Sequence, residues 1–210
     1  IFYLALRKDY PPILLDLEKL NKEVKSEFLQ RIEGDRSVIN SLARIDGVAE
    51  HRKILMDALD TAQESILLLS GFVSGFVIDK EFISKLEVAL KRGVIVRLGF
   101  GWTHPSGNKG TRVAAKKELL ELLKLASQNN GSGILEIYYF PNHSKVLIKD
   151  DSYSVEGSFN WLSTGDQSKN LETSIKLTDR QQVQSAFHFY CGKLLIKNIM
   201  TNDNFEQFSV

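Results

Sequence analysis

His143-Ser-Lys145 is followed by the apolar run Val146-Leu-Ile, then by Asp150 and, after a short turn, by Gly157-Ser158-Phe-Asn160. Side chains alternate along an extended chain, so His143 and Lys145, two residues apart, share one face of a strand. Ser158 and Asn160 repeat that spacing at the end of the next extended stretch. A nucleophile, a fixed cation and two hydrogen-bonding side chains can then converge on one point, a set suited to a phosphodiester.

A neutral, oriented imidazole attacks phosphorus directly. A lysine beside it supplies positive charge where the phosphoryl oxygens gather charge in the transition state. Ser158 and Asn160 offer hydrogen bonds to the same oxygens. A histidine nucleophile also needs a partner for its second ring nitrogen. Glu172, which alternates away from Leu171, Ile175 and Leu177, is the candidate carboxylate. Counting by two from His143 puts Asp150 on the opposite face at the start of a turn, where it reads as fixing a hairpin and not as a proton carrier.

The elements that must position these groups alternate in type. Leu14, Leu17, Leu20, Val24, Phe28 and Ile32 step at helical spacing through 13–33, and a second helical stretch runs over 47–63. Ser65–Ser70 is a short continuous apolar run, as expected of a strand buried on both faces. A helix over 79–92 stops at Gly93, and a strand covers 94–100. A polar loop, 103–110, leads to a helix over 112–127. Strands are expected at 134–140, 143–148, 153–158 and 171–177, and a helix over 179–197 closes the chain. The fold class is therefore α/β, a mixed sheet flanked by helices on both faces. It divides into an N-terminal helical segment or connector, residues 1–46, and a catalytic domain, residues 47–210.

The composition, 43% hydrophobic and 25% charged with a net charge of +1, is that of a globular chain and excludes one coated in basic residues. A basic excess is local: Lys109, Arg112, Lys116, Lys117 and Lys124 stand against Glu118 and Glu121. Lys109 and Arg112 are candidate phosphate-backbone contacts, and Trp102 could stack on a base. Cys191, the single cysteine, reads as a core thiol and cannot form an internal disulfide or a zinc site alone. His51 and His188 fall on predicted helices and need no function; His104 reads as a loop histidine. No apolar run approaches the roughly 20 residues of a membrane-spanning helix. The chain opens on Ile1, so it is expected to be a piece of a longer protein whose native start lies elsewhere, with a cytoplasmic location.

His143-x-Lys145, four residues, Asp150, six residues, then Gly157-Ser158-x-Asn160 resembles the HKD motif of the phospholipase D superfamily. The run from Ser158-Phe-Asn160 through Lys169-Asn170 to Glu172 is most similar to the small single-motif bacterial nucleases of that superfamily. The resemblance implies that His143 forms a covalent phosphohistidine, that Lys145, Ser158 and Asn160 grip the phosphate, and that Glu172 supports the histidine. It also places Asp150 in the motif and implies that no metal or other cofactor is needed. Only one HxK is present, whereas the mechanism uses two histidines, so a homodimer sharing one site is expected. The expected substrate is DNA. Two alternatives stand beside it: a phospholipid phosphodiesterase or transphosphatidylase, with Phe72, Val73 and Phe76 lining an acyl groove, and a non-cleaving nucleic-acid-binding or dimerisation module.

Overall fold

The computed structural model describes residues 41–101, 109–165, 168–197 and 199–205, with residues 109–115 described by backbone alone. The element order is β1 (Leu42–Asp46), α1 (Val48–Thr61), β2 (Ser65–Ser70), α2 (Lys80–Lys91), β3 (Ile95–Phe100) and α3 (Lys109–Gln128), followed by β4 (Ile134–Tyr139), β5 (Val146–Lys149), β6 (Tyr153–Gly157), β7 (Thr173–Leu177) and α4 (Arg180–Leu195). The helix expected over 13–33 lies outside the described residues, as do Trp102 and His104.

The strands form one seven-stranded mixed sheet in the order β1-β7-β6-β5-β2-β3-β4. β2 lies at its middle, parallel to β3 and antiparallel to β5. A strand with neighbours on both edges and helices on both faces has no wet side, which is why Ser65–Ser70 carries no polar alternation. Its side chains divide between two cores. Ile66 and Leu68, with Leu147 and Val155, pack against Leu55 and Leu59 of α1, Phe82 and Leu86 of α2, and Leu119 and Leu122 of α3. Leu67 and Leu69, with Val146 and Ile148, pack against Val183, Cys191 and Leu194 of α4.

Local signals set the helix ends. Asp79 and Asp179 each accept a hydrogen bond from the backbone N–H three residues on, at 2.8 Å from Phe82 and 2.9 Å from Gln182, supplying N-caps for α2 and α4. Past α2, Gly93 takes φ +94°, the left-handed conformation that ends a helix.

Two expectations need correction. Leu42–Asp46, which the sequence reading left in the N-terminal helical segment, is an edge strand paired antiparallel with β7. The strand expected over 143–148 begins only at Val146, so His143 and Lys145 lie in the irregular stretch ahead of it. Pro141 brings no N–H to a ladder, and Asn142 donates its own N–H to Gly101 O at 2.9 Å, tying this stretch to the end of β3. In β7 the apolar residues are not the buried ones. Glu172 and Ser174 point inward, while Leu171 is 84% exposed and Ile175 46%.

Asp150 holds the turn between β5 and β6. Its carboxylate accepts the backbone N–H groups of Gln63, Glu64 and Ser65 at 3.1, 2.8 and 2.8 Å, and its φ of +49° is a conformation that Asp tolerates. The hairpin is thus fastened to the start of β2. Replacing Asp150 with Ala removes a charged acceptor from three N–H groups, and charge-assisted hydrogen bonds contribute about 1.5–3 kcal/mol. Asp150→Ala is therefore expected to lower the unfolding free energy by about 2–3 kcal/mol in urea with an unchanged m-value, and Asp150→Asn by about half as much.

Candidate active site

β5, β6 and β7 are successive antiparallel neighbours, so the start of β5, the end of β6 and the start of β7 meet at one end of the sheet. Lys145, Ser158 and Glu172 are the residues that flank those three strand ends. The pairing of Leu69 with Val146 brings the carboxyl end of β2 to the same place, and β3 and β4 run parallel to β2. This is the edge of an α/β sheet outside the carboxyl ends of its parallel strands, where ligands bind most often.

Lys145 and Glu172 are both buried. Burial pushes the Lys145 ammonium below its usual pKa, and the charge of Glu172 partly restores it. One N–H of Lys145 goes to the carbonyl of His143 at 2.9 Å, so the cation fixes the backbone that presents the imidazole. Ser158 spends its single proton on Glu172, with Oγ 2.5 Å from Oε2, and Oγ in turn accepts the Thr173 N–H at 3.0 Å. In this arrangement the serine holds the carboxylate and does not point its donor at an incoming phosphate.

Asn160 is fixed from the other side. Its Oδ1 accepts the Gly71 N–H at 3.1 Å, which leaves the amide nitrogen as the end that can donate. The turn that carries Asn160 is fastened to the segment after β2. Leu162 N–H donates to Ser70 Oγ at 3.2 Å, Ser74 N–H to Leu162 O at 2.9 Å, and Ser74 Oγ to Ser163 O at 2.8 Å. His143 itself is exposed, in the stretch between β4 and β5.

The structure thus brings Lys145, Ser158 and Glu172 together, with Asn160 two residues past Ser158 and His143 tied to Lys145. It does not bring Asp150 to them. That residue sits at the far end of β5, in the hairpin turn, bound to the backbone of Gln63–Ser65. Lys109 and Arg112 fall on α3, where side chains are described only from Lys116 onward. Of the other described histidines, His188 is exposed on α4, against the opposite face of the sheet. His51, on α1, is fully buried, and nothing in its sequence neighbourhood signals that placement. Among the described residues, no three His, Cys, Asp or Glu side chains gather closely enough to hold a metal ion, and no helix is long and apolar enough to cross a membrane.

Comparison with known proteins bears on this arrangement. The family model for the cardiolipin synthase PLD-like domain matches residues 55–189. No curated protein sequence matches the chain. Nuc from Salmonella typhimurium, a phospholipase D family member, is similar in structure at 19% identity and a TM-score of 0.56, over 77% of this chain and 99% of that one. NucT from Helicobacter pylori is similar at 17% identity and a TM-score of 0.53, over 76% and 98%. TrmBL2, an archaeal chromatin protein whose structure shows its mode of DNA binding, is similar at 16% identity and a TM-score of 0.51, over 94% and 70%. At these identities the three structures share a fold with this chain. The family model spans more than half of the 210 residues, and this chain belongs to the phospholipase D superfamily.

Proposed function

We propose that the chain is a phosphodiesterase that cleaves nucleic acid, most simply DNA, through a phosphohistidine at His143 and without a metal ion. The observation that carries this reading is the clustering of Lys145, Ser158, Glu172 and Asn160 at one sheet edge beside an exposed His143. In the first step the neutral imidazole attacks phosphorus, a P–N bond forms and a P–O bond breaks. The leaving oxygen takes a proton from a second, protonated imidazole. In the second step that imidazole, now neutral, removes a proton from water, whose oxygen displaces His143 from phosphorus. Lys145 and the Asn160 amide hold the phosphoryl oxygens, and the carboxylate of Glu172, held by Ser158, supports the charged imidazole.

The chain carries a single HxK and, among the described residues, neither His51 nor His188 stands at the site; a second chain is the proposed source of the second imidazole. In a homodimer it would be His143 of the partner subunit. Leu171 is an apolar side chain almost wholly in water beside Glu172, and it suits a contact across such a two-fold axis. Nucleic acid is favoured over other diesters by the resemblance of the motif to the small single-motif bacterial nucleases, by the likeness to the DNA-binding TrmBL2, and by the lysines of α3. Lys116, Lys117 and Lys124 line a shallow groove there with Leu120 and Glu121. A phospholipid is the second reading. It is favoured by the name of the matching family and by Phe76, 63% exposed on the segment that Ser74 ties to the Asn160 turn.

Labelled single- and double-stranded DNA should be cut in EDTA by the wild type, with a native mass of two chains, and His143→Ala should reduce cutting to background. Cleavage of phospholipid but not DNA would select the second reading. Loss of all cleavage by a folded dimer would leave a nucleic-acid-binding module. The pH profile adds a signed expectation. The working form of Lys145 is protonated, and burial makes it lose that proton at lower pH than a free lysine. The alkaline limb of kcat/KM should therefore fall below pH 10.5, the ordinary lysine value. In Lys145→Arg, whose guanidinium stays charged, the part of that fall set by Lys145 should disappear while the part set by the protonated imidazole remains, and the altered geometry lowers the plateau.

A further inference from the structure

His51 is fully buried on α1, yet both of its ring nitrogens are engaged. Nδ1 lies 2.6 Å from Gly47 O, which can only accept, so Nδ1 carries the proton of the neutral ring. In that tautomer Nε2 is the acceptor of a hydrogen bond from the Ser174 hydroxyl, 2.8 Å away. The ring also stacks on Phe159, with centroids 4.5 Å apart at 21°, and meets Trp161 at 5.5 Å.

Each contact ends on a segment that positions the site. Gly47, at φ +78°, donates its N–H to Glu172 O at 2.8 Å, so the acceptor of the Nδ1 proton also fixes the backbone of the buried carboxylate. Ser174 follows Thr173, whose N–H holds Ser158 Oγ, and packs so tightly on Gly157 that an added Cβ there would lie 2.3 Å from its Oγ. Phe159 stands between Ser158 and Asn160. An apolar side chain could fill this volume, but it would leave the Ser174 hydroxyl buried without its partner.

We propose that His51 is a positioning residue of the active site, clamping the strand that carries Glu172 to the turn that carries Ser158 and Asn160. The inference rests on the phosphodiesterase reading and adds a residue that the HxK motif does not contain. Three variants of the full chain separate its contributions. His51→Phe keeps an aromatic ring and drops both hydrogen bonds. His51→Gln returns an acceptor toward Ser174. Ser174→Ala removes only the hydroxyl.

The readouts are kcat and KM on labelled DNA, per folded molecule, and amide hydrogen exchange. Misplacing a catalytic group by about 1 Å costs on the order of 100-fold. His51→Phe is thus expected to lower kcat roughly 10- to 100-fold with KM within about threefold, and His51→Gln to recover part of the loss. The amides of Thr173 and Gly71, which donate to Ser158 and Asn160, should lose protection, while that of Met200, which donates to Ile137 at the β4 edge, keeps it. A kcat unchanged in His51→Phe, or a loss wholly in KM, overturns the proposal. Should His51→Phe not fold, Ser174→Ala decides by the same criteria. Should the wild type cut no diester, the phosphodiesterase reading fails by itself, and protection at Thr173 and Gly71 still decides whether His51 holds these groups.

Discussion

Lys145 and Glu172 are opposite charges buried at the same end of one sheet, and each would be costly there without the other. Burial disfavours the Lys145 ammonium, and the charge of Glu172 offsets part of that. Much of the local architecture follows from keeping them in place. The Glu172 carboxylate is held by Ser158 from β6, and its backbone carbonyl by Gly47 at the end of β1. The Lys145 ammonium donates to the backbone carbonyl of His143, so it fixes the main chain that carries the exposed imidazole. Polar residues face inward on β7 because this pair and the Ser174–His51 contact lie there.

The β5–β6 hairpin separates two tasks between its ends. At the closed end, Asp150 gathers three backbone N–H groups and locks the hairpin to the start of β2. At the open end, the neighbouring strand termini bring Lys145, Ser158 and Glu172 together, and the Ser70–Gly71 end of β2 holds the Asn160 turn. A motif continuous in sequence is therefore split in space. Register is what the fold supplies: sliding β6 by one residue against β5 would turn every side chain on it to the other face. The closed end stabilises the register on which the open end depends.

Much of this was legible in the residues. The uninterrupted apolar run of β2 required a strand buried on both faces, and Gly93 marked the end of α2. The mixed sheet, its helical layers and the cluster of polar groups follow from those signals and from the motif spacing. What escaped has physical reasons. β1 is an edge strand with most of its five side chains exposed, so Leu42–Asp46 carries almost no buried periodicity. His143 and Lys145 precede a strand and do not lie on it, because Pro141 and Asn142 keep the backbone out of the ladder until Val146. The inward polar face of β7 contradicts its hydrophobic pattern because neighbouring charges outweigh apolar burial at that strand. His51 gave no local signal at all, since its meaning lies in a partner 123 residues away.

The central claim is that His143 becomes covalently bonded to phosphorus. It is tested most directly by quenching the wild-type reaction on DNA labelled at the scissile phosphate, then locating the label by peptide mass spectrometry. The account predicts an acid-labile, alkali-stable adduct on the peptide containing His143, absent from His143→Ala and formed equally in EDTA. Turnover without any adduct on His143 under conditions that stabilise phosphohistidine, or an adduct on another residue, would contradict it.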